Sequence, residues 1–78
     1  MSAMTSDLDL AEVSRVRVSA RKGEARTRRI QHCISLREMA ESLGVKPSTL
    51  SRWERGEATP RPDDAVRWGA VLASLEAA

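Results

Sequence analysis

The stretch ISLREMAESLGVKPSTLSRWERG, residues Ile34 to Gly56, decides how this chain folds. Ser35 and Glu38 are spaced as a capping box, in which the serine hydroxyl accepts the amide hydrogen of residue 38 and the glutamate reaches back to the serine amide. Ile34 before the cap and Met39 after it are placed as a hydrophobic staple. Met39, Ala40 and Leu43 line one side of the helix that follows, and Gly44 supplies the left-handed residue that ends it. A helix over Leu36–Leu43 is too short to be stable alone and must pack against a neighbour. Only Val45 and Lys46 intervene before Pro47, a favoured first helical residue because its missing N–H would be unpaired there anyway. A second helix is therefore predicted from Pro47 to Arg55, stopped by Gly56. Leu50, Trp53 and Glu54 occupy one side of it, and Ser48, Ser51, Arg52 and Arg55 another.

Downstream of Gly56, Thr59-Pro60-Arg61-Pro62 reads as a stiff connector. Pro62 then opens a further helix with Asp63 and Asp64 in its first turn, where negative charge suits the dipole. Val66, Gly69 and Ala73, with Trp68, Leu72 and Leu75, give that helix a broad apolar face. Upstream, Ser19 is placed to cap a helix running to about His32, with Thr27 and Ile30 on one side and the basic residues elsewhere. Gly23 weakens its first turn. Residues 1–18 fit neither helical nor strand periodicity well. They read as an N-terminal arm, open to partial order, in which Val16-Arg17-Val18 would suit a short strand. The domain proper is then residues 19–78.

Seventy-eight residues allow one domain with a small core. One cysteine, Cys33, excludes an internal disulfide, and with one histidine, His32, no usual zinc ligand set can be assembled. No cofactor is expected. No apolar run is long enough to span a membrane, and Asp7, Asp9 and Glu12 near the start are the reverse of a secretory signal. The expected location is the cytoplasm, at the nucleoid. The net charge of +2 says little, but its distribution says more. Arg21, Lys22, Arg26, Arg28 and Arg29 form a basic centre between two more acidic ends, as a phosphate-facing surface requires, although a solvated helix face has the same pattern.

Two short helices joined by a tight glycine-containing turn, the second bearing small polar and basic residues, make a helix-turn-helix. The sequence from Ile34 to Gly56 resembles the Cro/repressor-type helix-turn-helix family, also called the XRE family. The resemblance reaches back over Arg29-Ile30-Gln31 and forward through Pro60 to Leu72. It implies an all-α, lambda-repressor-like bundle of four to five short helices, here with an N-terminal arm. It also implies a transcription regulator that binds double-stranded operator DNA as a dimer. By the same resemblance Pro47, Ser48 and Arg52 fall where family members touch bases. Lys46 and Thr49 fall where they touch phosphates, Ser51 and Arg55 are assigned to the sugar-phosphate backbone, and Arg29 pairs with Glu54. Three positions depart from the family pattern. Pro47 replaces a residue that usually hydrogen-bonds, Leu36 stands where a polar side chain often meets a phosphate, and Cys33 takes the place of a common glycine.

Arg52 is the strongest candidate for base reading, because a guanidinium can bond guanine O6 and N7 together. The competing reading leaves Arg52 in solvent, paired with Glu41 or Glu57. Ser48 is open to a purely local role near a helix start. Trp53 and Trp68 have the spacing of core residues. His32 and Cys33 adjoin without a placed acid or second base, so no catalytic dyad is expected, and the chain reads as a non-enzyme. The function expected first is sequence-specific transcription regulation, of the phage or mobile-element Cro or repressor kind or as a small autoregulator. The alternative is a protein-binding adaptor or antitoxin-like module on the same fold. The fourth helix and the arm are the candidate dimer surfaces, and dimerisation in free solution is left open.

Overall fold

Ser35 caps its helix from both directions: its Oγ accepts the Glu38 amide at 3.0 Å, and Glu38 Oε1 accepts the Ser35 amide at 2.8 Å. These bonds, the backbone one foremost, hold the Glu38 carboxyl below the usual carboxylate range. The computed structural model describes residues 10–77. Among these residues there are five helices and no strand: α1 (Leu10–Arg21), α2 (Glu24–Gln31), α3 (Leu36–Leu43), α4 (Pro47–Glu54) and α5 (Pro62–Ala77). The all-α architecture is that expected.

Three of the helices end in the same way. After α3, Gly44 (φ 71°) lets its own amide bond Glu41 O and the Val45 amide bond Ala40 O. After α4, Gly56 (φ 74°) sends its amide to Trp53 O and the Glu57 amide to Arg52 O. After α2 the left-handed residue is Cys33, at φ 58°, with Cys33 N–H to Ile30 O and Ile34 N–H to Arg29 O. Each pair of bonds satisfies carbonyls that the helix end would otherwise leave open.

The core joins all five helices. Trp68, Met39 and Leu50 are fully enclosed, and Ala25, Ala40 and Ala65 fill the tight crossings. Trp53 and Trp68 lie with ring centroids 5.5 Å apart at a tilt of 38°, within the range where aromatic pairs add to simple burial. On α3 the buried residues are Met39, Ala40 and Leu43, and on α5 they are Ala65, Trp68, Gly69 and Leu72. Val66 and Leu75 are half-buried at the edge of the α5 face, and Ala73 lies outside it.

Four expectations upstream of α3 are corrected. Residues 10–18, read as part of an arm, belong to α1, and Val16-Arg17-Val18 is helical rather than extended. Residues 1–9 of the arm lie outside the described residues. The inner face of α1 is Val13, Val16 and Ala20, a 3–4 spacing obscured in the sequence by the exposed apolar residues Leu10 and Val18. Packing against α5 overrides the strand preference of the β-branched residues. Gly69 makes room for that packing: a Cβ there would stand 2.8 Å from Val16 Cγ2 and would collide with the Glu12 carboxylate. Arg17 pins the other side of α1 through Nε and Nη2, which donate to the Pro60 carbonyl at 3.1 and 2.7 Å.

Ser19 caps nothing; it is buried within α1, and the helix expected from Ser19 to His32 is broken at Lys22-Gly23 into α1 and α2. Finally, α2 turns Ala25 and Arg29 inward, while Thr27 and Ile30 are exposed. Its orientation follows the ionic partner that Arg29 finds inside.

Candidate nucleic-acid interface

The turn between α3 and α4 is short because both of its ends are fixed. Gly44 closes α3, and Lys46, in extended conformation, hands the chain to Pro47 at the first position of α4. The Lys46 carbonyl accepts the Thr49 and Leu50 amides at 3.0 and 3.1 Å, so the helix starts sharply. No side chain caps this end, and with Pro47 lacking an N–H only the Ser48 amide of the first turn is left without a helix partner.

Helix α4 has two unlike sides. Leu50, Trp53 and Glu54 are buried. Pro47, Ser48 and Arg52 are exposed, Thr49 and Ser51 are half-buried, and Lys46 and Arg55 are exposed at the two ends. Ser48, Arg52 and Arg55 recur at four and three residues and therefore share a face. The fold thus exposes Pro47, Ser48 and Arg52 on α4, with Lys46 and Arg55 exposed at its two ends and Thr49 and Ser51 half-buried on its flanks. Leu36, by contrast, packs against the core.

Glu54 points the other way and meets Arg29. Arg29 Nε donates to Glu54 Oε2 at 2.7 Å and Nη2 to Oε1 at 2.9 Å, while Nη1 donates to the Ile34 carbonyl at 2.9 Å. The Glu54 hydrogen bonds raise the Arg29 pKa above its ordinary value despite burial. One residue thereby ties α2, the turn before α3, and α4 together.

The polar contact on the outer face was not legible in the sequence. Arg52 forms no ion pair among the described residues, with Glu41 or with Glu57. Glu57 instead takes Arg55: Nε donates to Oε2 at 3.0 Å and Nη2 to Oε1 at 2.9 Å, and Arg55 Nη1 donates to Ser51 Oγ at 2.7 Å. The left-handed turn at Gly56 creates this contact by folding residue 57 back onto the end of α4. The Arg55 guanidinium and, more weakly, the Arg52 charge keep the Glu57 carboxyl below the usual range, and Glu57 in turn raises Arg55. A glutamate two residues beyond a helix-ending arginine, with a glycine between, was the available signal. Arg21, at the end of α1, lies near this turn: a Cβ on Gly56 would sit in ordinary van der Waals contact, 3.8 Å from Arg21 Cα and Cγ.

Among the described residues no cluster of three or more histidine, cysteine or acidic side chains is placed to hold a metal, and no helix is long and apolar enough to cross a membrane. No match is found among curated proteins or among solved structures. A family model described as helix-turn-helix matches residues 26–74, which span α3, the turn and α4 and most of α2 and α5. With the tight turn and the two-faced α4, that match establishes that the chain belongs to the Cro/repressor-type helix-turn-helix family of DNA-binding proteins.

Proposed function

We propose that this protein is a sequence-specific transcription regulator that reads the DNA major groove with α4. The observation that carries this reading is the division of α4 into a buried face, Leu50, Trp53 and Glu54, and an exposed face free of large apolar side chains that begins at Pro47 and carries Ser48 and Arg52. A helix entering the groove needs its N-terminal residues and one polar face free, while the preceding helix crosses the backbone. In this reading Arg52, Ser48 and Pro47 meet base edges, Pro47 by apolar contact alone. Lys46, Thr49, Ser51 and Arg55 meet the sugar-phosphate chain. The role is one of binding rather than catalysis, exercised on double-stranded operator DNA in the cytoplasm at the nucleoid, with two copies pairing on DNA. Selection of binding sites from random duplexes tests it. Recovery of a shared motif supports it, and half-sites about 10 base pairs apart support pairing. Recovery of no motif refutes it.

A second reading, a protein-binding adaptor or antitoxin-like module, draws on a different surface. Leu10 and Val18 expose about half or more of their surface and border a groove of about 460 Å3 between α1 and the segment from Gly56 to Pro60. Salt separates the two: phosphate-driven binding weakens steeply as salt rises, whereas apolar docking does not.

A further inference from the structure

Arg55 and Ser51 stand on the outer face of α4, yet neither is free. Glu57 accepts two N–H groups of the Arg55 fork and Ser51 Oγ accepts a third, so most of the guanidinium donors are already used. A carboxylate binding a guanidinium with two parallel bonds has the geometry with which a phosphate binds the same group. The pair is well exposed, each side chain retaining 54% of its accessible surface. Such pairs are weak in water and exchange readily for another anion. The backbone of Glu57 is held close to the end of α4, its amide donating to Arg52 O at 2.9 Å across the Gly56 turn, which keeps the carboxylate within reach of Arg55.

We propose that Glu57 is an intramolecular stand-in for a DNA phosphate, occupying Arg55 in the free protein and being displaced when a duplex docks, so that it holds down the affinity for DNA of every sequence. This inference rests on the reading that α4 docks on DNA. Because Arg55 and Arg52 both favour its ionised form, Glu57 stays negative at neutral pH. The carboxylate must leave Arg55 when a phosphate arrives, and the loss of that pair opposes binding. The opposition falls mainly on the phosphate contact, since Glu57 bonds Arg55, at the end of α4 away from Pro47 and Ser48, and forms no hydrogen bond with Arg52. A regulator built this way depends more heavily on base contacts, because its phosphate-driven binding is restrained.

The test is binding of Glu57→Gln to a labelled operator recovered by selection and to a labelled random-sequence duplex, each over a salt series. Glutamine keeps the size and one acceptor while removing the charge. We expect tighter binding to both duplexes, by about 3- to 10-fold, and a salt slope steeper by about one. In an Arg55→Ala background most of that gain disappears. Unchanged or weaker binding by Glu57→Gln overturns the inference, because a residue that merely positions Arg55 would weaken binding when lost. A full gain persisting without Arg55 overturns it as well. If the unaltered protein binds operator and Glu57→Gln makes no difference, the inference fails alone. If neither protein binds any duplex, the DNA-binding reading fails and takes the inference with it.

Discussion

Arg29 and Glu54 meet fork to carboxylate inside the molecule, Nε to Oε2 at 2.7 Å and Nη2 to Oε1 at 2.9 Å, with side chains that keep only 10% and 3% of their accessible surface. They are 25 residues apart, on α2 and α4, and Arg29 also holds the Ile34 carbonyl that leads into α3. The pair therefore fixes the angle at which α4 stands on the bundle, and with it the direction in which Ser48 and Arg52 project.

Breaking one side of this pair strands a buried charge. Glu54→Ala should lower stability by about 3–5 kcal/mol, whereas replacing both residues together with apolar side chains of similar volume should cost much less. Urea denaturation of the two single variants and the double variant gives the coupling. A coupling near zero would show that the bond contributes nothing to the fold.

Gly69 presents a contest between two effects of opposite sign. In an exposed helix, Gly→Ala gains about 1 kcal/mol. Here the new methyl would meet Val16 Cγ2 at 2.8 Å, and valine has few rotamers with which to yield. Overpacking of this kind costs about 1–3 kcal/mol, so Gly69→Ala should be destabilising on balance, with a lower urea midpoint. A raised midpoint would show that α1 does not press on α5 at this point. Combining the change with Val16→Ala should lose less than the sum of the two single changes.

Cys33 is the reverse case, a side chain where the backbone wants none. Its φ of 58° lies in the left-handed region, which costs an L residue about 1–2 kcal/mol. Glycine removes that strain but loses more entropy on folding, offsetting about half of the gain. Cys33→Gly should therefore stabilise the protein by about 0.5–1 kcal/mol and raise the melting temperature by a few degrees. A fall in melting temperature would mean that the Cys33 side chain contributes contacts that outweigh the strain.

The helices differ in how far local sequence determines them. The α3–turn–α4 unit was legible because its signals are local: the Ser35–Glu38 box, Gly44 and Pro47 each act within a few residues of one another. The two-sided character of α4 followed from spacing alone. Helix α1 was obscure because its inner face uses Ala20 and a notch at Gly69, a residue about fifty positions away, while Leu10 and Val18 spread apolar character around the helix. Ser19 looked like a cap because a serine before a helical pattern usually is one; only the packing of α1 on α5 makes it interior. The Arg55–Glu57 contact needed the Gly56 turn in three dimensions, since glutamate at that spacing could equally have faced Arg52 or solvent.

The outer face of α4 permits the most direct test of the proposed function, because two kinds of contact should fail in two different ways. Arg52 shares its face with Ser48 one turn earlier and carries no ion pair among the described residues, so its guanidinium is available to a base edge. Lys46 lies at the entrance to the helix, where a cation would meet the sugar-phosphate chain. Arg52→Ala should cost about 1–3 kcal/mol on the best site and relax preference at one or two base pairs. Lys46→Ala should weaken binding to all duplexes nearly equally and reduce the salt slope by about one. Both residues are exposed, so both variants should keep their helical circular dichroism and their melting temperature. Site selection repeated with each variant separates the two effects: the Arg52 variant should return a degenerate position, and the Lys46 variant the original motif at lower affinity. If folded Arg52→Ala returned the same motif with the same affinity, α4 would not be the element that reads sequence, and the groove beside Leu10 and Val18 would become the surface to investigate.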